Sequence, residues 1–223
     1  MMGSLDGVGD SDEHPQHQVT LSDFWMDQTE VTNAMYQQCV EDNECTPPSE
    51  SSSNTRDSYY GNSTYANYPV IYVNWNQTSD YCQWAGRQLP TEAQWEYAAR
   101  GPDGFTYPWG NDPPTCERAN YDQSSGNYCE GDTTAVDSHE AGKSWVNAFD
   151  LAGNVWEWVQ DVITTYSSDA VTNPLILSGG NYRVLREGSW GLNEDGIRSA
   201  NRRRADPSES SRYLGFRCSL PLN

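Results

Sequence analysis

The apolar positions along this chain follow two different periods. His17, Val19 and Leu21 alternate with polar residues and lead into Phe24-Trp25-Met26, a two-residue period that predicts a strand. Thr32 then stands where a helix N-cap belongs, and Met35, Tyr36, Cys39 and Val40 recur at helical spacing. Residues 46–68 are mostly Ser, Thr, Asn and Tyr and read as a long surface excursion. Residues 69–73 read as a buried strand and 76–85 as a helix closed by Gly86. The clearest local signal is Thr91, which follows Pro90 and precedes Gln94 by three residues. That is a capping-box spacing ahead of the apolar Trp95, Ala98 and Ala99, with Gly101-Pro102 as the stop. Residues 103–150 are nearly all loop. Residues 155–159 and 183–190 read as strands around a polar insertion, and 215–220 as a closing strand. The acidic, glycine-rich residues 1–16 read as an N-terminal loop, leaving 17–223 as one domain of class α+β.

Composition turns this sparse pattern into a folded domain. Nine Trp and fourteen Tyr in 223 residues supply the buried area that the short apolar runs lack. The formal net charge is −19, from 32 acidic and 13 basic residues, with Lys143 the sole lysine. Such a surface excludes nucleic acid and anionic membrane as partners, since both need a basic face. The acidity serves solubility, or cation binding, or both. No run approaches the ~20 apolar residues of a membrane span. Six cysteines without a C-x-x-C pair, and only three histidines, argue for disulfides in an oxidising compartment rather than zinc, although free buried thiols are the alternative. The opening Met1-Met2-Gly3-Ser4 carries no signal peptide, so an extracellular or periplasmic domain of a longer precursor or larger protein is expected.

Seven segments in order carry a family resemblance: "FWMDQTEVTNAMY" at 24–36, "YPVIYVNW" at 68–75, "YCQWAGRQLPTEAQWEYAARG" at 81–101, "YPWGN" at 107–111, "LAGNVWEW" at 151–158, "RVLREGSW" at 183–190 and "LGFRC" at 214–218. Together they resemble the formylglycine-generating enzyme (sulfatase-modifying factor) family. The resemblance implies that family's variant of the C-type lectin fold, with small twisted sheets, few helices and much ordered loop. It implies a Cys82–Cys218 disulfide, with Cys39–Cys45 and Cys116–Cys129 as local pairs. The family's enzymes carry a copper-binding cysteine pair shortly after the motif that reads "GSW" here, yet residues 188–204 contain no cysteine. No copper is therefore expected, because cuprous ion needs thiolate ligands. A non-catalytic ligand-binding or sensor module follows; the alternative is a family enzyme acting on protein cysteine, or another substrate, by other means.

The same resemblance implies calcium. Asp150 and Glu157 by side chain, and Gly153 and Val155 by carbonyl, match one family site and the oxygen-rich ligation that calcium requires. The bland alternative leaves Glu157 merely hydrogen-bonded between Trp156 and Trp158. A second site maps to Asn120 and Tyr121, with Asp132 as the carboxylate. Recognition of a protein, peptide or small molecule is expected along 188–213, a polar loop holding five of twelve arginines. The candidate contacts are Trp190, Leu192, Asn193, Asp195, Arg198, Asn201, Arg203, Asp206, Arg212 and Tyr213. The competing expectation is that most of these arginines pair with the protein's own acids, and that Trp190 is core. The segment also looks like the variable region of diversity-generating-retroelement proteins, in which such positions are diversified.

Overall fold

A computed structural model describes residues 1–186 and 188–222, and among them are three α-helices and eight short strands, an α+β fold with small sheets. In chain order they are β1 (Val19–Thr20), β2 (Phe24–Met26), α1 (Asn33–Glu41), α2 (Trp75–Trp84), α3 (Glu92–Arg100), β3 (Trp156–Val162), β4 (Val171–Thr172), β5 (Arg183–Arg186), β6 (Arg202–Ala205), β7 (Leu214–Gly215) and β8 (Ser219–Pro221). Each helix starts at a polar cap. Thr32 accepts the Met35 N–H, Asn74 and Gln77 form a reciprocal box, and so do Thr91 and Gln94. Gly101, at φ +68°, ends α3 in a conformation that costs other residues strain.

Three sheets hold the strands: one four-stranded sheet in the order β6-β5-β3-β7, and two ribbons, β2-β8 and β1-β4. In the large sheet β5 is antiparallel to both neighbours, and β7 runs parallel to β3. Trp156, Trp158 and Leu185 face the layer of α1 and α2, packing with Tyr36, Cys39, Tyr81 and Cys82. Val159 and Val184 face α3 and meet Trp95, Ala98 and Ala99. Trp95 and Trp158 are wholly buried, and truncating either to Ala costs about 3–5 kcal/mol by transfer and cavity terms.

Polar residues complete the α3 face. Arg186 bridges Glu92 at 3.2 Å and Glu96 at 2.8 Å, and Arg202 grips Glu92 with two nitrogens at 2.7 and 2.8 Å. Arg100 reaches Glu96 at 2.9 Å. All three disulfides form: Cys39–Cys45, Cys82–Cys218 and Cys116–Cys129. Cys82–Cys218 closes 136 residues, worth about 4–5 kcal/mol in the loop-entropy account.

Several elements differ from the sequence pattern. Residues 69–73 are buried but form no strand; Tyr72 turns to φ +59°, and only Pro69 bridges Thr32. The strand expected over 183–190 ends at Arg186. Glu187 lies outside the described residues, and Gly188 is pressed so close to Gly196 that a Cβ would meet its carbonyl oxygen at 2.2 Å. The strand expected over 215–220 is two, β7 and β8, in different sheets. Residues 1–16 are mostly loop yet firmly held: Met2 bridges His17, and the 3-10 turn Ser11–Glu13 buries Glu13 against Arg198 at 2.7 Å.

Candidate functional site

The segment from Gly188 onward is built as a series of short turns. Trp190 donates its backbone N–H to the Asn154 carbonyl, and Leu192 accepts from Asp122 N–H at 2.8 Å. Asn193 caps a 3-10 turn, Glu194–Ile197, whose Ile197 is fully buried. These contacts set the Trp190 ring, 2% exposed, between two tyrosines. Tyr213 lies 4.9 Å away at 40°, and Tyr128 lies 5.6 Å away edge-on. Tyr128 is 43% exposed and sits beside Cys129, at the end of the loop closed by Cys116–Cys129. The result is an aromatic notch, floored by Trp190 with half-buried Leu192 adjoining. The Trp190 Nε1–H is buried and has no hydrogen-bond partner among the described residues, an unmet donor that costs about 1–3 kcal/mol.

Sequence reasoning missed Tyr128; the one available signal was an aromatic residue next to a cysteine in a stapled loop. The other expected contacts divide. Asn193, Asp195, Arg203 and Asp206 are exposed, and Arg212 lies over the Tyr213 ring at 5.1 Å. Asp206 is tied to its own turn, where hydrogen bonds from Ser208 hold its carboxyl below the usual range. Arg198 and Asn201 turn inward instead. Arg198 forms a forked pair with Glu13, and buried Asn201 reaches Asp10 at 3.4 Å. For these two, and for Arg202, the partners are the chain's own acids.

The carboxylates expected to hold calcium come together with one that sequence reasoning overlooked. Asp150, Glu157 and Glu30 are all buried and sense one another electrostatically. Glu157 is fully engaged: Arg217 grips both oxygens, closest at 2.6 Å, and Trp95 Nε1 donates at 2.8 Å. Among the described residues Glu30 accepts only from Asn154 Nδ2, at 3.0 and 3.1 Å. Burial, then Asp150 and Glu157, pushes the Glu30 carboxyl well above its ordinary range; burial also raises Asp150. Asp150 Oδ1 lies 3.3 Å from His139 Nδ1, and its Oδ2 has no partner among the described residues. Gly153, at φ +86°, lets the backbone press against Asn120, whose carbonyl oxygen would lie 2.3 Å from a Cβ. Glu30 also borders an open cleft of about 540 Å³, shared with Asp27, Tyr81, Trp84 and Arg87.

Asp150, with its free oxygen and a local shortage of positive charge, fits a calcium ligand. Glu157 does not, because Arg217 and Trp95 occupy its lone pairs. Among the described residues no three acidic, histidine or cysteine side chains converge on one metal position, so carbonyl oxygens such as those of Gly153 and Val155 would have to complete the shell. The second set fits less well. Asn120 Oδ1 is buried without a partner among the described residues, but the Tyr121 carbonyl accepts from Cys129 N–H. The Asp132 carboxylate accepts from Ser53, Thr55 and Thr133 and pairs with Arg56 at 3.2 Å. Burial acts to raise its carboxyl, and those hydrogen bonds outweigh it and hold it low. A satisfied carboxylate of this kind is a loop staple, not a metal ligand.

Comparison with known proteins agrees with this architecture. The serine/threonine-protein kinase pkn1 of Chlamydia caviae is 35% identical over 94% of this chain, and the chain spans 35% of that kinase's length. The inactive C-alpha-formylglycine-generating enzyme 2 of Mus musculus is 41% identical over 67% of the chain and 48% of its own length. Among solved structures, PvdO from Pseudomonas aeruginosa superposes with a TM-score of 0.81 at 24% identity, covering 99% of this chain and 90% of its own. Treponema denticola variable protein 1 gives 0.77 at 24% identity, covering 99% and 91%. The model of the sulfatase-modifying factor enzyme 1-like domain matches residues 2–221, and the chain belongs to that family.

Proposed function

We propose that this domain is a non-catalytic binding or sensor module that recognises a protein, peptide or small molecule through the 188–213 segment, at the notch of Tyr128, Trp190 and Tyr213. The observation that carries this reading is the buried Trp190 Nε1–H, unpartnered among the described residues, on a ring set between exposed Tyr128 and half-buried Tyr213. A ligand carbonyl or hydroxyl placed there gains a hydrogen bond that the free protein lacks, and rings on both sides add stacking area. Supporting it, all six cysteines are consumed in disulfides, so the segment offers no thiol for oxidative chemistry. The name of the murine relative points the same way. The three disulfides suit an oxidising compartment, which supports an extracellular or periplasmic location. The kinase relatives suggest a sensory part of a longer protein. A calcium ion on Asp150, with the Gly153 and Val155 carbonyls, would steady the turn from which Asn154 holds Trp190.

A copper-loaded turnover assay on a Cys-x-Pro-x-Arg peptide, read by mass spectrometry, tests the reading. No formylglycine is expected from folded protein, and conversion would overturn it. Ligand arrays probed with the wild type and with Trp190→Phe then locate the notch: hits should weaken in the variant, which keeps an aromatic ring, though a smaller one, but lacks the N–H.

A further inference from the structure

The four cations without a carboxylate partner are unevenly placed. Nine of the 13 lysine and arginine side chains form ion pairs; among the described residues Arg183, Arg203, Arg204 and Arg212 do not. In a chain with 32 acids, an arginine left without one is the exception. Three of the four sit on the β5–β6 hairpin. Arg183 lies over the Trp75 ring at 3.8 Å, and Arg204 lies 5.4 Å from the Tyr182 centroid. Stacking engages the flat face of a guanidinium and leaves its in-plane N–H fork for an anion. Arg183 directs one N–H to the Gln160 carbonyl and retains the others.

The hairpin is also the open margin of the large sheet. β6 is outermost in the order β6-β5-β3-β7, and its four residues pair with β5 on one side only. On the other side no backbone hydrogen bond from the described residues reaches it. Register places Arg203 opposite Leu185 and Arg204 opposite Val184, so the two exposed guanidiniums rise from opposite faces of the sheet.

We propose that the outer edge of β6 takes up an acidic polypeptide segment in extended conformation. Its backbone adds a strand to the sheet, and its alternating carboxylates meet Arg203 and Arg183 on one face and Arg204 on the other. The backbone edge is what favours a polypeptide over an anionic polysaccharide, which needs the arginines alone. The proposal extends the binding-module reading to a second face and does not depend on the notch.

The test uses the full chain and a labelled peptide of about ten Glu, Asp, Val and Thr residues, followed by fluorescence anisotropy at low salt. Binding should saturate, persist in Trp190→Phe, and weaken at least about tenfold in Arg203→Glu/Arg204→Glu. Both substitutions are on exposed side chains, and an unchanged melting temperature confirms that the variant is folded. N-methylation of alternate peptide amides should abolish binding to the wild type. Absence of saturable binding overturns the proposal, as does indifference to N-methylation, which would reduce the contact to charge alone. So does a sulfated polysaccharide that binds these arginines where the peptide does not. Loss of notch ligands in Trp190→Phe with peptide binding intact separates the two readings.

Discussion

Two buried groups of acids lie on either side of Trp95 and are neutralised differently. Beneath α3, Glu92 and Glu96 are paired with Arg100, Arg186 and Arg202, while neighbouring Asp161 stands outside the ion pairs and accepts backbone N–H bonds. Around the turn before β3, Glu30, Asp150 and Glu157 have Arg217, with His139 beside Asp150. The first group is self-sufficient and holds the sheet to its helix. The second keeps one carboxylate ionised by pairing and leaves two whose charge burial opposes. A desolvated acid in that position takes up a proton or attracts a cation. Equal burial therefore yields a structural network in one place and a candidate ion site in the other, and the count of arginines decides which.

That contrast can be broken experimentally. Replacing Arg186 with Met removes the cation that Glu92 and Glu96 share and leaves each with one arginine, Arg202 or Arg100, in a dry site; denaturant melts should report a loss of about 3–5 kcal/mol, the same with calcium or with EDTA. A loss below about 1 kcal/mol would deny that the balanced group is held by its ion pairs. Calcium should act on the second group alone: at a hundredfold excess over its dissociation constant it adds about 2.7 kcal/mol, seen as a higher melting temperature than in EDTA. Asp150→Asn should erase that response. An unchanged melting temperature on chelation removes the asymmetry and with it the ion site.

Taken per pH unit, the smallest effect concerns protons. Burial first, and Glu92 second, lift the Asp161 carboxyl to about 7. The folded state then holds a proton that the unfolded state releases near pH 4. This stabilisation is complete below about pH 4 and is lost as pH rises to about 7, at no more than about 1.4 kcal/mol per pH unit. Asp161 accepts N–H bonds from Glu92 and Ile176, so Asp161→Asn sacrifices one of them. The readout is accordingly the slope of stability against pH between 4 and 7, which should flatten in the variant. An unaltered slope would mean that Asp161 is ionised throughout.

Local chemistry was legible in the sequence, and long-range neutralisation was not. The Thr91–Gln94 box, the Thr32 cap and the family frame anticipated α3, α1 and the three disulfides, because those signals lie within a few residues or within recognisable motifs. Glu30 escaped notice because its surroundings come from Asp150, Asn154 and Glu157, more than a hundred residues away. The run Arg202-Arg203-Arg204 reads as one basic patch, yet Arg202 is buried by Glu92 while its neighbours face outward. Nothing local distinguishes them. Likewise 69–73 has the apolar content of a strand, but Tyr72 in the left-handed region interrupts it, leaving single backbone hydrogen bonds to Val31 and Ser211 in place of a ladder.

The Cys82–Cys218 bond also fixes how the domain responds to tension. Drawn out by its two ends, the oxidised chain can straighten only the residues before Cys82 and after Cys218, less the small Cys39–Cys45 ring. That is about 80 residues, or roughly 280 Å at ~3.5 Å each. The large sheet, the acids Glu92, Glu96 and Asp161 and the aromatic notch all lie inside the covalent loop and carry none of the stretching force along the backbone. A domain exposed to shear at a cell surface would thus keep its recognition elements tethered together after its outer layers had been pulled straight.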